Sequence, residues 1–353
     1  MTAQSPRAAR SGRKPRPAPV DVTVVICTRN RAAQLNNVLE SAAKLHVPHG
    51  LRWELVVVDN GSSDNTADVV ASFRDRLPAR VVREEAAGLS HARNCGVVEA
   101  AGRYICWTDD DVLLDPQWLA AYAAAFARHP EAAVFGGEII PVLQPPTPKW
   151  FARLADQWPL TTLLAKRDHG DQSIPLDFDE GIIPWGANFA VRAAEQRRVL
   201  YEPALGVSPL QHRVGEEAEV IFQIMKAGGL GWWVPNAKVR HIIPVKRQTF
   251  RYVYEFYLSC GETEAYLERT WPGAHHMAAN KREMDRVTGS AVSLYAHAGL
   301  SGALFAAAWL VGATRRSLQF LMEMGIYVGA ARIAAAPRPA KSLSAGNPRT
   351  GDL

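Results

Sequence analysis

Hydrophobic runs and polar turns alternate along the first third of the chain. Residues 22–27 read VTVVIC, a near-continuous β-branched run, and TRNRAAQLNNVLESAAKL follows with helical periodicity. WELVVVDNGSSDNTADVVASF, from residue 53, repeats the scheme of apolar strand, polar turn and helix. RVVREE (80–85) predicts a third strand and RYICWT (103–108) a fourth. Between them, GLSHARNCGVVEAAG predicts a helix entered through Gly88 and left through Gly102. Strands alternating with helices imply right-handed βαβ units in a mostly parallel sheet covered on both faces. In such sheets ligands bind beyond the carboxyl ends of the strands. Those ends carry CTRN (27–30), VDNGSSD (58–64) and TDDDV (108–112), so polar and acidic residues gather where a ligand is expected.

The second half is less regular. PVLQPPTPKW (141–150) is a Pro-rich connection, and GIIPWGANFAVRAA combines a Pro-Trp-Gly turn with an apolar strand. VGEEAEVIFQIMKAGG (214–229) predicts a helix with acids at its start and glycines at its end. GWWVPNAKVRHIIP (231–244) predicts two strands broken at Pro235. Beyond residue 247 aromatics recur at helical spacing, and residues 287–314 run 28 positions without Asp, Glu, Lys or Arg. A spanning helix needs about 20 apolar residues. Ser, Thr, Gly and His297 make this run only moderately hydrophobic, so the expectation is a membrane-contacting helix or hairpin. A packing helix of a soluble protein is the alternative.

Composition narrows the class. A chain of 353 residues that is 48% hydrophobic can bury one large core or two smaller ones. With 21% charged residues, the main body is not a disordered chain. The net charge of +5 owes much to Arg7, Arg10, Arg13, Lys14 and Arg16. Residues 1–20 read as a mobile, solvated basic tail, and residues 336–353 as a second disordered tail. Basic residues in a tail, not across a folded face, argue against nucleic acid as a partner. Cys27, Cys95, Cys106 and Cys260 show no paired spacing and read as buried thiols of a reducing, cytoplasmic compartment. The chain lacks GxGxxG and GxxxxGK[ST] signatures, which disfavours dinucleotide and P-loop chemistry.

The triplet Asp109, Asp110 and Asp111 carries the strongest chemical signal. Helix capping does not require it, because Asp115-Pro116 downstream already supplies a cap and a first-turn proline. Three adjacent carboxylates repel one another, and a divalent cation that also holds substrate phosphates would gather them.

Taken in order, VTVVICTRNRA, ELVVVDNGSSDNT, GLSHARNCGVVEAAGRYICWTDDDV, WGANFAVR, GEEAEV and VPNAKVRH resemble the motifs of family 2 glycosyltransferases over about residues 22–260. The resemblance implies an α/β fold of GT-A type, a nucleotide-sugar-binding sandwich with a mostly parallel central sheet, plus a C-terminal helical region. It implies a transferase unit at 21–250, with a nucleotide half (21–115) and an acceptor half (116–250), and a C-terminal helical region at 251–335 expected to associate with a membrane. The implied reaction is inverting transfer of a sugar from a nucleotide diphosphate sugar to an acceptor hydroxyl, in polysaccharide or glycolipid assembly. The implied cofactor is Mg²⁺ or Mn²⁺, the acceptor a glycan or lipid-linked molecule, and the location the inner face of the plasma membrane.

By the same resemblance, Thr28, Arg29, Asn30, Asp59, Asn60 and Arg93, beside Asn94, sit at the nucleotide. The family usually reads DDGS where this chain reads DNGS, so Asn60 leaves bases other than uracil open. Asp109, Asp110 and Asp111 resemble the DxD motif. Asp111 and Asp109 are then metal ligands with His241 nearby, and Asp110 reaches the ribose or a metal-bound water. The catalytic base is expected at Glu217, where the family usually has Asp, with Glu216 or Glu219 as alternatives. Trp185, Gly186 and Asn188 match the acceptor segment. Two other functions remain as rivals: a sugar nucleotidyltransferase, disfavoured by the absence of glycine in CTRNRAAQ, and a non-catalytic carbohydrate-binding protein of the same fold.

Overall fold

A computed structural model describes residues 20–209, 211–271 and 287–337. The two expected tails lie outside the described residues, apart from Val20, Ala336 and Pro337. In the first half, strand and helix alternate as β1 (Val22–Thr28), α1 (Ala32–Ala42), β2 (Trp53–Asp59), α2 (Thr66–Ser72), β3 (Ala79–Arg83), α3 (Leu89–Glu99) and β4 (Tyr104–Asp109). The middle of the chain contributes β5 (Val112–Leu114), α4 (Trp118–Arg128), β6 (Ala132–Leu143), α5 (Lys149–Leu154), α6 (Leu160–Leu163), β7 (Asn188–Arg192) and α7 (Ala193–Gln196). There follow β8 (Gly206–Val207), β9 (His212–Arg213), α8 (Glu216–Lys226), β10 (Leu230–Ile243), α9 (Phe250–Thr270), α10 (Ala291–Leu310) and α11 (Thr314–Ala335).

Eight strands form one sheet in the order β3-β2-β1-β4-β7-β6-β10-β5. Pairs β3–β2, β2–β1, β1–β4 and β6–β10 are parallel, whereas β7 and β5 pair antiparallel with their neighbours. Chain order reverses at β1, which lies between β2 and β4, and such a switch point opens a crevice at the strand ends. Register brings the motif residues there together, with Thr28 opposite Asp59 and Cys27 opposite Asp109.

Alternation along β1 sends Val24 and Ile26 to one face and Val25 to the other. The first face packs Leu35 of α1 and Trp118 and Tyr122 of α4. The second packs Trp107, Phe189, Ile221 of α8 and Trp233. Both faces are covered, which is why the strands read as unbroken apolar runs.

The expected pair of strands at 231–244 is instead one strand. β10 runs parallel to β6 throughout, with a register shift between Val234 and Lys238. Pro235, which has no N–H to donate, falls within that irregularity, so the ladder continues on either side of it.

A third core joins the C-terminal helices to α5 and α6, through Phe151, Leu160, Tyr257, Met322 and Ile326. α9 and α11 approach closely because glycines face across the contact. A Cβ on Gly261 would meet the Ile326 backbone, and one on Gly329 would meet Leu258. The uncharged run forms α10, whose mean hydropathy is 1.3 over an 18-residue window that is 22% buried. By length and composition this helix is long and apolar enough to cross a membrane.

Candidate active site

One cavity of about 960 Å³ opens at the switch point. The ends of β1 and β4 form its floor, and the start of α8 and the 185–187 turn form one wall. Thr28, Arg29, Asn60, Arg93, Asp109, Asp110, Asp111, Trp185, Gly186, Glu216, Glu217 and His241, all singled out from sequence, line it together.

The three aspartates have different surroundings. Asp110 is buried: Thr28 Oγ1 donates to its Oδ2 at 2.7 Å, and Arg31 Nη1 lies 2.6 Å from its Oδ1. Burial pushes this carboxyl up to about 7, with Arg31 and the Thr28 hydrogen bond opposing. Asp111 is also buried but cationic groups surround it: Arg31 Nη2 at 2.9 Å, Arg247 Nη1 at 3.1 Å and His241 Nε2 at 3.6 Å. Burial acts to raise its pKa, but His241, Arg247 and Arg31 together outweigh that and hold the carboxyl well below the usual range. Asp109 keeps 36% of its side chain exposed to the cavity and lies 3.6 Å from Arg93 Nη2.

His241 is oriented by its other nitrogen. Nδ1 lies 3.1 Å from the Leu164 carbonyl, which can only accept, so Nδ1 carries a proton, and Nε2 faces Asp111 Oδ1 at 3.6 Å and Arg247 Nη1 at 3.3 Å. A backbone carbonyl behind a histidine is a common support for metal ligation. No cluster of three or more His, Cys, Asp or Glu side chains that could hold a metal by itself occurs among the described residues. Asp109, partly exposed to the cavity, and Asp111 are oxygen donors of the kind Mg²⁺ takes, with its other positions commonly filled by substrate oxygens and water.

Arg93 is not a surface charge of α3. It is buried beneath the cavity floor, with Trp107, Phe189 and Tyr201 rings 5.5–5.6 Å from its guanidinium carbon, and its Nε is 3.4 Å from Glu216. Burial works against its charge, but Glu216, Tyr201 and Asp109 outweigh that and keep it protonated. It thereby links the triplet to the acids of α8.

Those acids separate into two roles. Gly215, at φ +91°, turns the chain into α8, a conformation that favours glycine. Glu216 is buried; burial and the neighbouring Glu217 push it up to about 8 against the pull of Arg93. Glu217 is half-buried, and its Oε1 accepts from the Gly186 N–H at 3.0 Å. A Cβ at Gly186 would stand 2.9 Å from Arg93 Nη2 and 3.1 Å from that same Oε1, so glycine is what lets the turn approach.

Several expected site residues are engaged by other parts of the protein. Asn188 is a core residue, fully buried and outside the cavity lining. Its Oδ1 accepts from Trp118 Nε1 and Tyr122 Oη, and its Nδ2 donates to the Glu138 and Ala237 carbonyls, so no capacity remains for an acceptor. Asp59 likewise does not line the cavity; its carboxylate accepts from the Ser62 N–H at 2.8 Å and pairs with Arg83 at 3.3 Å. Asn30 binds back to the 62–63 turn, and Asn94 exchanges hydrogen bonds with the Tyr201 backbone. Arg29 donates to the Asn60 carbonyl. Trp185 stacks beneath the Arg167 guanidinium at 3.9 Å from the ring centre. Cys27, expected to be buried, is half-buried and lines the cavity, and none of the four cysteines forms a disulfide.

Asn60 explains the departure at DNGS. Its Nδ2 donates to the Glu84 and Ala86 carbonyls at 3.2 and 2.7 Å, and its Oδ1 accepts from the Gly88 N–H at 2.8 Å. It thus pins the loop that delivers the start of α3. Asn60→Asp would set a carboxylate against two carbonyl oxygens. We expect it to cost about 1–3 kcal/mol in urea unfolding, the usual penalty for stranding a buried polar partner; an unchanged midpoint would refute this account.

Arg31, Arg247 and Arg167 are the cavity residues that sequence reasoning missed. Arg31 adjoins the β1 strand end, so the strand-end rule alone pointed toward it. Nothing in the local sequence around Arg247 or Arg167 marks them; the fold delivers them from distant segments.

Comparison with known proteins points to glycosyltransferases. Residues 23–175 match the Glycosyl transferase family 2 model. Over 118 residues it is 38% identical to validoxylamine A glucosyltransferase of Streptomyces hygroscopicus subsp. jinggangensis, covering 33% of this chain and 28% of that protein. It is 33% identical over 121 residues to a PGL/p-HBAD biosynthesis glycosyltransferase of Mycobacterium tuberculosis, covering 33% of this chain and 46% of the relative. The chain thus spans less than half the length of either relative. A mannosyltransferase from Pyrobaculum calidifontis, solved with GDP-Man and Mn²⁺, superposes with a TM-score of 0.56 at 19% identity. That match covers 90% of this chain and 88% of the other, and it establishes a shared GT-A-type fold.

Proposed function

We propose that this protein transfers a sugar, with inversion, from a nucleotide diphosphate sugar to an acceptor hydroxyl in polysaccharide or glycolipid assembly. The observation that carries the reading is the placement of Glu217, anchored on the Gly186 N–H, in the same cavity as Asp109, Asp110 and Asp111. The nucleoside lies over the ends of β1 and β2, and the diphosphate lies over the triplet beside Arg31 and Arg247. Glu217 takes the proton from the acceptor hydroxyl as that oxygen bonds to the anomeric carbon. The bond from that carbon to the diphosphate oxygen breaks, and the nucleoside diphosphate departs. Asp111, with Asp109 and His241 nearby, would hold Mg²⁺ or Mn²⁺ together with the substrate phosphates, and the ion would supply positive charge to the departing diphosphate. Trp185 and Gly186 face the acceptor side, with Arg167 stacked above the tryptophan.

The test is a panel of nucleotide diphosphate sugars with Mn²⁺, with and without chelator, scored for nucleoside diphosphate release. Release from one donor, suppressed by chelator, is expected. Silence across the panel with acceptor extracts present favours a non-catalytic carbohydrate binder. Release of pyrophosphate from a nucleoside triphosphate and a sugar phosphate favours a nucleotidyltransferase.

The unit at 251–335 is proposed as a helical extension that brings the enzyme to the cytoplasmic face of the membrane. α10 exposes Val292, Leu300, Leu310 and Val311, and the exposed Arg315 and Arg316 follow directly. An apolar face beside cations suits an anionic lipid surface. Full-length protein is expected to co-sediment with phosphatidylglycerol-containing vesicles and to be weakened by Leu300→Ser with Leu304→Ser. Complete recovery in the supernatant would exclude the contact.

A further inference from the structure

Among the described residues five arginines line the cavity, and four of them have polar partners within the protein. Arg31 and Arg247 meet Asp111, Arg93 meets Asp109 and Glu216, and the exposed Arg29 donates to the Asn60 carbonyl. Arg167 differs. Its side chain makes no hydrogen bond or ion pair among the described residues, and its Nε is buried without a partner. Asp168, the adjacent acid, accepts instead from the Gly170 N–H at 2.9 Å. Burial pushes the Arg167 guanidinium down to about 10, and no neighbouring carboxylate offsets that shift. Its position is nonetheless built. The Arg167 N–H donates to the Ile139 carbonyl at 3.2 Å and the Ile139 N–H donates back at 2.9 Å, which ties the residue to β6. The guanidinium carbon stands 3.9 Å from the Trp185 ring centre. A guanidinium stacked by its face keeps its N–H edge for bonds in its own plane. Trp185 precedes Gly186, whose N–H holds Glu217, so Arg167 rests on the turn that anchors the proposed base.

We infer that Arg167 binds an anionic group of the acceptor, a carboxylate or a phosphate, so that the sugar accepted is an acidic one. The inference rests on the transferase reading above, in which Trp185 and Gly186 face the acceptor, and it names the acceptor's chemistry. A neutral hydroxyl would occupy one N–H and leave the charge uncompensated. A carboxylate or phosphate does both, because two of its oxygens match the guanidinium fork. The donor diphosphate is the less suitable occupant. Arg31 and Arg247 already stand at the triplet beneath it, whereas the fixed contacts of Arg167 are with Ile139 and Trp185. A partly buried cation without a counter-ion is a cost to the folded protein, and an acidic ligand removes that cost on binding.

The test uses full-length protein at physiological ionic strength, with ligand-observed NMR to measure weak binding. Methyl β-glucuronide and methyl β-glucoside differ only by a carboxylate in place of a primary alcohol, and the methyl galacturonide and galactoside pair repeats the comparison in a second configuration. At least one uronide is expected to bind about tenfold more tightly than its neutral partner, the scale of a hydrogen-bonded charge pair. Arg167→Gln should bring that ratio to about one, and Arg167→Lys, which keeps the charge without the fork, should retain part of it. The ratio is the readout because a merely structural Arg167 would weaken both members of a pair alike; thermal melting of both variants reports their folding. Equal affinity for acid and neutral sugar overturns the inference, as does failure of both uronides to bind at millimolar concentration, or a preference that Arg167→Gln leaves intact. UDP-glucuronate and UDP-glucose form a donor arm: an Arg167-dependent preference confined to that pair places the anion on the donor and overturns the acceptor assignment. If no donor of the earlier panel releases its nucleoside diphosphate but Arg167→Gln still removes the uronide preference, the transferase reading fails and the anion site stands. If a donor is turned over while acid and neutral glycosides bind equally, the anion site fails alone.

Discussion

Glu217→Gln is expected to lower the transfer rate by about 10²–10⁴-fold, the range for removing a general base, while donor affinity stays within about twofold. The amide keeps a carbonyl oxygen for the Gly186 N–H, which Glu217 Oε1 now accepts at 3.0 Å, so the local geometry is retained. What is lost is the capacity to take a proton from the acceptor. The informative contrast is Glu216→Gln. Glu216 is buried against Arg93 and pushed up to about 8, and an amide keeps its shape in that buried position. Its rate should fall less than tenfold. Single-turnover rates together with donor calorimetry decide the matter: near-normal turnover by Glu217→Gln with collapse of Glu216→Gln would move the base to Glu216.

Asp111→Asn is the second large effect. Asp111 is the carboxylate on which His241, Arg31 and Arg247 converge, and their charge keeps it ionised despite burial. A neutral amide there withdraws the anion that would hold a cation against the diphosphate, a loss of several kcal/mol in the transition state, or about 10³-fold in rate. The fold should survive, because Arg31 keeps Asp110 at 2.6 Å and Thr28 still donates to Asp110. Circular dichroism should therefore be unchanged, while the Mn²⁺ concentration needed for half-maximal activity rises. Full activity with normal Mn²⁺ dependence would remove Asp111 from the metal site.

The strand ends were legible because physics leaves them few alternatives. A parallel strand covered on both faces must read as an apolar run, and polar residues immediately after it must lie at the sheet's carboxyl edge. That reasoning located Thr28, the triplet and the neighbourhood of Arg31 before any coordinate. The family resemblance placed Asn188 at the acceptor, but an Asn beside a strand has the same appearance whether it meets a ligand or, as here, takes one indole and one phenol donor and gives to two carbonyls inside the core. Sequence reasoning also divided β10 at Pro235, because local sequence does not show that a bulge can carry a proline through a continuing ladder.

By itself, the sequence determined the alternation of strands and helices, the edge at which polar chemistry gathers, and the acids at the start of α8. These follow from periodicity and local backbone preference, which act over a few residues. Only the tertiary structure decided that Asp109, Asp110 and Asp111 have unequal surroundings, that Arg93 lies boxed by three aromatic rings between the triplet and Glu216, and that Arg247 and His241 return to Asp111 from the far end of the sheet. Charge interactions and burial depend on distance in space, and segments far apart in the chain set those distances only once the sheet has ordered β10 and the helices have closed over it.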